Sequence, residues 1–142
     1  MKQEDRILLF KDICARLPYG VDCLIEHNGE HLDTIIAVDV TTHVVFTEVG
    51  NCWLELDFIK PYLRPMSSMT KEELYEVQKI LGKGVEIQDD FISIVDSSIN
   101  SFTYLELQAV FDWLNAHHFD YHGLIKKGLA LEAPKDMYVT NQ

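Results

Sequence analysis

Val21-Asp22-Cys23-Leu24-Ile25-Glu26-His27-Asn28-Gly29 opens the stretch whose reading decides the fold. Val21, Cys23 and Ile25 alternate with Asp22, Leu24 and Glu26, the pattern of a strand with one buried face. Asn28-Gly29 then supplies two residues that tolerate positive φ, the signal for a two-residue hairpin turn. Downstream, Thr34 to Val40, Val44 to Val49 and Cys52 to Leu56 are short and rich in β-branched residues, separated by Thr41-Thr42-His43 and Gly50-Asn51. Short strands with tight turns predict an antiparallel β-meander. Its edges need protection, either by closure into a small SH3-like barrel or by cover from the preceding helix.

That helix is Glu4 to Leu17, with Ile7, Phe10, Cys14 and Leu17 at helical spacing and Glu4 and Asp5 at the positive end of the dipole. Pro18-Tyr19-Gly20 ends it. On the other side of the meander, Pro61 and Pro65 forbid a long helix over Asp57 to Met66 and predict a helical turn followed by extended chain. This segment, running into Ser67-Ser68, is the expected hinge between two parts. Thr70 with Glu73 forms a capping box, and Leu74, Val77, Ile80 and Leu81 give the next helix its apolar face up to Gly82-Lys83-Gly84. Thr103 with Glu106 repeats the box, ahead of an expected inner face of Leu107, Val110, Phe111 and Leu114 and an end near His117. Between them, Phe91-Ile92-Ser93-Ile94-Val95 fits a strand or a short buried helical segment, and periodicity does not choose at that length. The tail predicts a short helical turn closed by Gly128. The class is α+β: an N-terminal helix with an antiparallel meander over residues 1–66, then a mainly helical part over residues 67–142, packed together as one compact unit.

With 47% hydrophobic residues in a chain of 142, a core of ordinary size is expected. The net charge of −11 is shared, with six basic and eleven acidic residues before Ser67 and six and twelve from there on. No basic face stands out, so the charge disfavours nucleic acid as a partner. The longest apolar runs, such as Ile35-Ile36-Ala37-Val38, are far short of a membrane span. Acids precede the first apolar residues, and no small-residue cleavage site follows, which predicts a cytoplasmic protein. Cys14, Cys23 and Cys52 are odd in number and widely spaced, arguing for reduced, mostly buried thiols rather than a disulfide framework or zinc ribbon.

Two further stretches carry a resemblance. Ile59-Lys60-Pro61-Tyr62-Leu63-Arg64-Pro65-Met66-Ser67-Ser68-Met69-Thr70 and Asp112-Trp113-Leu114-Asn115-Ala116-His117-His118-Phe119-Asp120-Tyr121-His122-Gly123-Leu124-Ile125, with Gly128 to Pro134 after them, resemble a group of short bacterial proteins often encoded in prophages and other mobile elements. That group has no established activity, so the resemblance implies a setting and not a reaction. His122 stands where such proteins tend to carry Arg.

Chemistry has few places to reside. His118, Asp120 and His122 fall on one side of an extended chain, and imidazoles with a carboxylate suit zinc or iron, which would make a metal-dependent hydrolase. The competing reading has His117 and His118 bonding free carbonyls at a helix end while Asp120 builds the exit turn. Cys52, His43 and Asp57 are a nucleophile, a base and an orienting group with the meander to bring them together, but no enzyme signature surrounds them. Gly82-Lys83-Gly84 lacks the spacing of a phosphate cradle. Tyr62 and Arg64 combine an aromatic ring and a guanidinium between two prolines, as interfaces favour. Alternatively, Arg64 bridges the two parts through Asp112 or Asp120, with Tyr62 and Trp113 packing alongside. Trp113 is expected to wrap the core edge while Phe119 and Tyr121 fold back over it. No catalytic residue, metal ligand or cofactor is assigned. Tyr62, Arg64, Trp113, Asn115, His117, His118, Asp120 and Tyr121 are marked as an interaction or structural motif, and a protein partner is expected for an accessory or adaptor protein. An acidic mimic of DNA is the other alternative, prompted by the charge.

Overall fold

The computed structural model describes residues 1–82, 84–87, 92–94 and 103–138, the backbone alone at 92–94. Helix α1 spans Gln3–Arg16. Its buried residues are Leu9, Phe10, Asp12, Ile13 and Arg16; of the expected face, Phe10 is buried and Cys14 and Leu17 pack against the core, while Ile7 is exposed and Leu9, Asp12, Ile13 and Arg16 widen the inward side. One-turn helix Leu17–Tyr19 and Gly20 at φ 85° lead into the sheet.

Strand β1 (Val21–Glu26) pairs antiparallel with β2 (Glu30–Asp39), Val21 facing Ile35 and Glu26 facing Glu30. The loop is therefore His27, Asn28 and Gly29, one residue longer than Asn28-Gly29 alone predicts; Asn28 (φ 56°) and Gly29 (φ 105°) supply the left-handed backbone. Strands β3 (Val44–Thr47) and β4 (Trp53–Glu55) complete the meander. β3 stops short of Val49, where the Asp33 carboxylate accepts the Val49 and Gly50 N–H groups, both at 2.9 Å, along with Thr34 N–H at 2.7 Å. Gly50 is needed there, since a Cβ would sit 2.8 Å from Thr47 Oγ1.

Pro61 is accommodated inside the sheet, while Pro65 lies beyond it and opens a single helical turn at Met66–Ser68. After a single helical turn at Leu56–Phe58, strand β5 (Ile59–Leu63) pairs antiparallel with β1, with Cys23 opposite Pro61. The segment expected as a hinge is thus a sheet strand. Helix α2 (Lys71–Leu81) and helix α3 (Tyr104–Ala116) begin at complete capping boxes, Thr70 with Glu73 and Thr103 with Glu106. α2 ends at Gly82 in the left-handed region. Between the helices, β6 (Val85–Ile87) and β7 (Ile92–Ile94) form a two-stranded antiparallel ribbon, which gives the strand alternative to Ile92–Ile94; Phe91 and Val95 lie outside the described residues. Strand β8 (Leu131–Glu132) then returns to the first sheet, parallel to β5.

The sheet runs β4-β3-β2-β1-β5-β8, an open order. The meander does not close into a barrel; α1 covers one face instead, and β4 and β8 remain as short edges, the alternative protection. One buried cluster joins Leu9 and Ile13 of α1 to Val21, Ile35, Val45 and Ile59, and it includes Leu124 and Leu129 from the tail. A second unites α2, α3, Met66 and Phe119. Of the face expected on α3, Val110 and Leu114 are buried while Leu107 and Phe111 are exposed. Both caps are simple to test: Thr70→Ala and Thr103→Ala should each cost about 1 kcal/mol in chemical denaturation. Thr70→Ala should be the more damaging, because Glu73 of its box also holds Arg64.

Candidate functional site

The two stretches that carry the resemblance meet. Arg64 N–H donates to His118 O at 2.7 Å and Asp120 N–H donates to Arg64 O at 2.8 Å, a parallel bridge that lays the chain after α3 along the end of β5. The Arg64 side chain does not reach Asp112 or Asp120. Its two terminal nitrogens bond both oxygens of Glu73 at 2.7 Å, and its guanidinium lies 4.1 Å over the Phe119 ring. Burial raises the Glu73 pKa, but the Arg64 hydrogen bonds outweigh that and hold the carboxyl below its usual value.

The remaining marked residues disperse around this bridge. Trp113 stacks on His117 (4.0 Å) and Phe119 (5.7 Å) and donates its indole N–H to Glu76 at 2.9 Å. His117 Nδ1 lies 2.9 Å from Trp113 O, the helix-end contact expected of it. Tyr121 turns from Trp113 to Phe111 and donates to buried Asn115 Oδ1 at 2.8 Å. Asp120 accepts from Leu124 and Ile125 N–H at 2.8 and 3.0 Å, building the exit turn. His118, at φ 65°, stacks on Tyr138 at 3.7 Å, while Tyr138 donates to Tyr62 O at 2.8 Å. His118, Asp120 and His122 therefore point at three different partners, and the described residues hold no group of three or more His, Cys, Asp or Glu able to hold a metal.

His122 reveals what the sequence reading missed. Its Nδ1 is 2.7 Å from Asp12 Oδ1, in α1. Asp12 also accepts from Arg16 Nε at 2.7 Å and Nη2 at 2.9 Å, with the Asp12 and Arg16 side chains 0% and 1% exposed. Arg16 Nη1 has no hydrogen-bond partner among the described residues, and its guanidinium lies 5.1 Å from the Tyr121 ring centre. Asp12 and Arg16 are spaced i, i+4, a readable ion-pair signal, but charges are rarely buried and nothing in the spacing announced it. An Asp–His pair orients an imidazole as a general base would need, yet no serine, threonine or cysteine touches His122 among the described contacts.

The other nucleophile set also separates. His43 stacks on Phe10 (4.3 Å), Asp57 binds Arg6 (2.7 Å), and Cys52 is exposed. All three cysteines are free. Burial, with the Asp33 and Asp22 charges, pushes the Cys23 thiol up to about 12, so it is inert. A cleft of about 430 Å³ beside the bridge is walled by Arg64, Ser68, Thr70, Glu132, Lys135 and Tyr138. Its walls mix both signs of charge, and Arg64 is committed to Glu73.

His118 gives a pH prediction. Burial, then the Arg16 charge, lowers its pKa to about 4, below the unfolded value of about 6.5. The folded chain keeps it neutral while the unfolded chain protonates it, so its contribution is full above about pH 6.5 and falls as pH drops toward 4. The melting-temperature difference between pH 7 and pH 5 should shrink in His118→Gln. An unchanged difference would show that the ring is not held neutral.

No protein-family model, curated protein or solved structure matches the chain. No helix among the described residues is long and apolar enough to cross a membrane.

Proposed function

We propose that this chain is a non-enzymatic accessory protein of a prophage or other bacterial mobile element, an adaptor that works in the cytoplasm by binding another protein. The observation that supports this reading is the contrast between its polar clusters and its sheet surface. Arg64, Asp120, His118, His122 and Trp113 are spent on contacts within the chain. Large apolar side chains, Leu32, Ile36 and Trp53 among them, stand exposed on the sheet strands. Clustered exposed apolar groups mark interaction surfaces more often than they decorate a free monomer. The mobile-element setting rests on the two resembling stretches, and the acidic charge favours a protein over nucleic acid as partner.

Affinity capture from the native host, followed by size-exclusion chromatography of the purified chain with each recovered polypeptide, tests the reading. One polypeptide that co-elutes stoichiometrically is expected. A chain that returns alone, or that turns over a substrate without a partner, overturns it.

A further inference from the structure

We propose that the outer face of the sheet, at its β2–β3–β4 end, is the docking surface for a basic polypeptide segment that anchors through apolar side chains; this rests on the adaptor reading above. Ile35, Val45 and Leu54 are buried against the core, so alternation puts the residues between them on the opposite side. Leu32 (57% exposed), Ile36 (50%) and Trp53 (51%) lie there, with half-buried Phe46. A register shift between Ile35 and Ala37 bulges β2 beside Phe46 and adds an apolar residue to that end. Phe46 and Trp53 are paired in register and meet edge to face at 5.3 Å, an aromatic platform already ordered before any partner arrives.

The charge around this platform selects the partner. Residues 21–55 contain seven acidic residues and no lysine or arginine. Asp33 and Asp39 are spent on backbone N–H groups, and Glu26 pairs with Lys60 at 3.6 Å. Glu30, Glu48 and Glu55 are exposed and form no ion pair with a described residue. A nucleic acid or a second copy of this chain would meet like charge, whereas a lysine- or arginine-rich segment meets the opposite sign. An apolar centre within a one-signed rim is the pattern in which anchors supply affinity and charge supplies rate and selectivity.

The test titrates the full chain with a short peptide of alternating lysine and valine, and with its glutamate-valine counterpart, following backbone amide signals by NMR. Saturable shifts confined to β2, β3 and β4 with the basic peptide, weakened by salt, are expected. Ile36→Ser with Trp53→Ser should weaken binding by at least about tenfold. Glu48→Gln with Glu55→Gln, which touches no packing, should reduce the salt dependence and so decides the matter if the first pair unfolds. No saturable binding, equal binding of the acidic peptide, or shifts centred on exposed Tyr104 and Leu105 of α3 would overturn the proposal. A host partner that still binds the Ile36→Ser, Trp53→Ser chain would remove this face while leaving the adaptor reading intact.

Discussion

Replacing Asp12 with alanine is expected to lower the unfolding free energy by about 3–5 kcal/mol, the usual cost of stranding one partner of a buried ion pair. Arg16 would lose both its carboxylate hydrogen bonds, its Nη1 already lacks a partner among the described residues, and its side chain is buried from water. His122 would lose its contact with α1 as well. Against a typical stability of about 5–15 kcal/mol, this is a large fraction. Removing the charges together is a different matter: Asp12→Leu with Arg16→Met leaves no isolated charge and should recover much of the loss. Urea denaturation at neutral pH of the three chains decides it, and a single variant losing under about 1 kcal/mol would mean that water enters the site.

The same pair sets part of the acid limit. Burial raises the Asp12 pKa, but hydrogen bonds from His122 and Arg16 and their charges outweigh it, leaving the folded value below the ordinary one. Its contribution is therefore complete above the unfolded carboxyl's pKa of about 3.9 and is lost as pH falls through the lower folded value. His118 acts over the range above, from about pH 6.5 down to 4, so the two groups erode stability in succession.

Local patterns carried their own consequences into the fold. The alternation at Val21 to Ile25 and the two capping boxes were legible because each is decided within a few residues by backbone geometry. What was hidden depends on distant segments. β8 has only two residues and exists because Leu63 and Tyr62 offer an edge nearly seventy positions earlier, as the Tyr62–Leu131 register records. β5 was concealed by Pro61, whose missing N–H argues against a strand. It is tolerated just ahead of the two residues that pair with β8. The inner face of α1 was legible at Phe10, Cys14 and Leu17 but not at Asp12 and Arg16, which look like surface residues until His122 and Tyr121 close over them. At the candidate site, the two resembling stretches do meet, through the backbone of Arg64, His118 and Asp120, but the other marked side chains take separate partners, and Arg64 chose Glu73, already positioned by its own cap, over Asp112 and Asp120.

That bridge has a centre, and it is Phe119 rather than Trp113. Phe119 is fully buried, with the Arg64 guanidinium 4.1 Å from its ring on one contact and the Trp113 ring stacked at 5.7 Å and 12° on another. Its backbone neighbours His118 and Asp120 make the hydrogen bonds to Arg64. Phe119→Ala should therefore cost about 3–5 kcal/mol through the cavity left behind, with up to about 2 kcal/mol more from the lost cation–π contact. Trp113 is only half-buried, and its N–H bond to Glu76 is exposed, so Trp113→Ala leaves a site that water can fill and should cost less. Phe119→Leu, which refills most of the volume without the ring face, separates the two terms. It should recover the larger part of the alanine loss while leaving the Arg64 contribution missing. If thermal denaturation instead ranks Trp113→Ala as the more damaging change, the bridge is held from the helix side, and Arg64 is a passenger on Glu73.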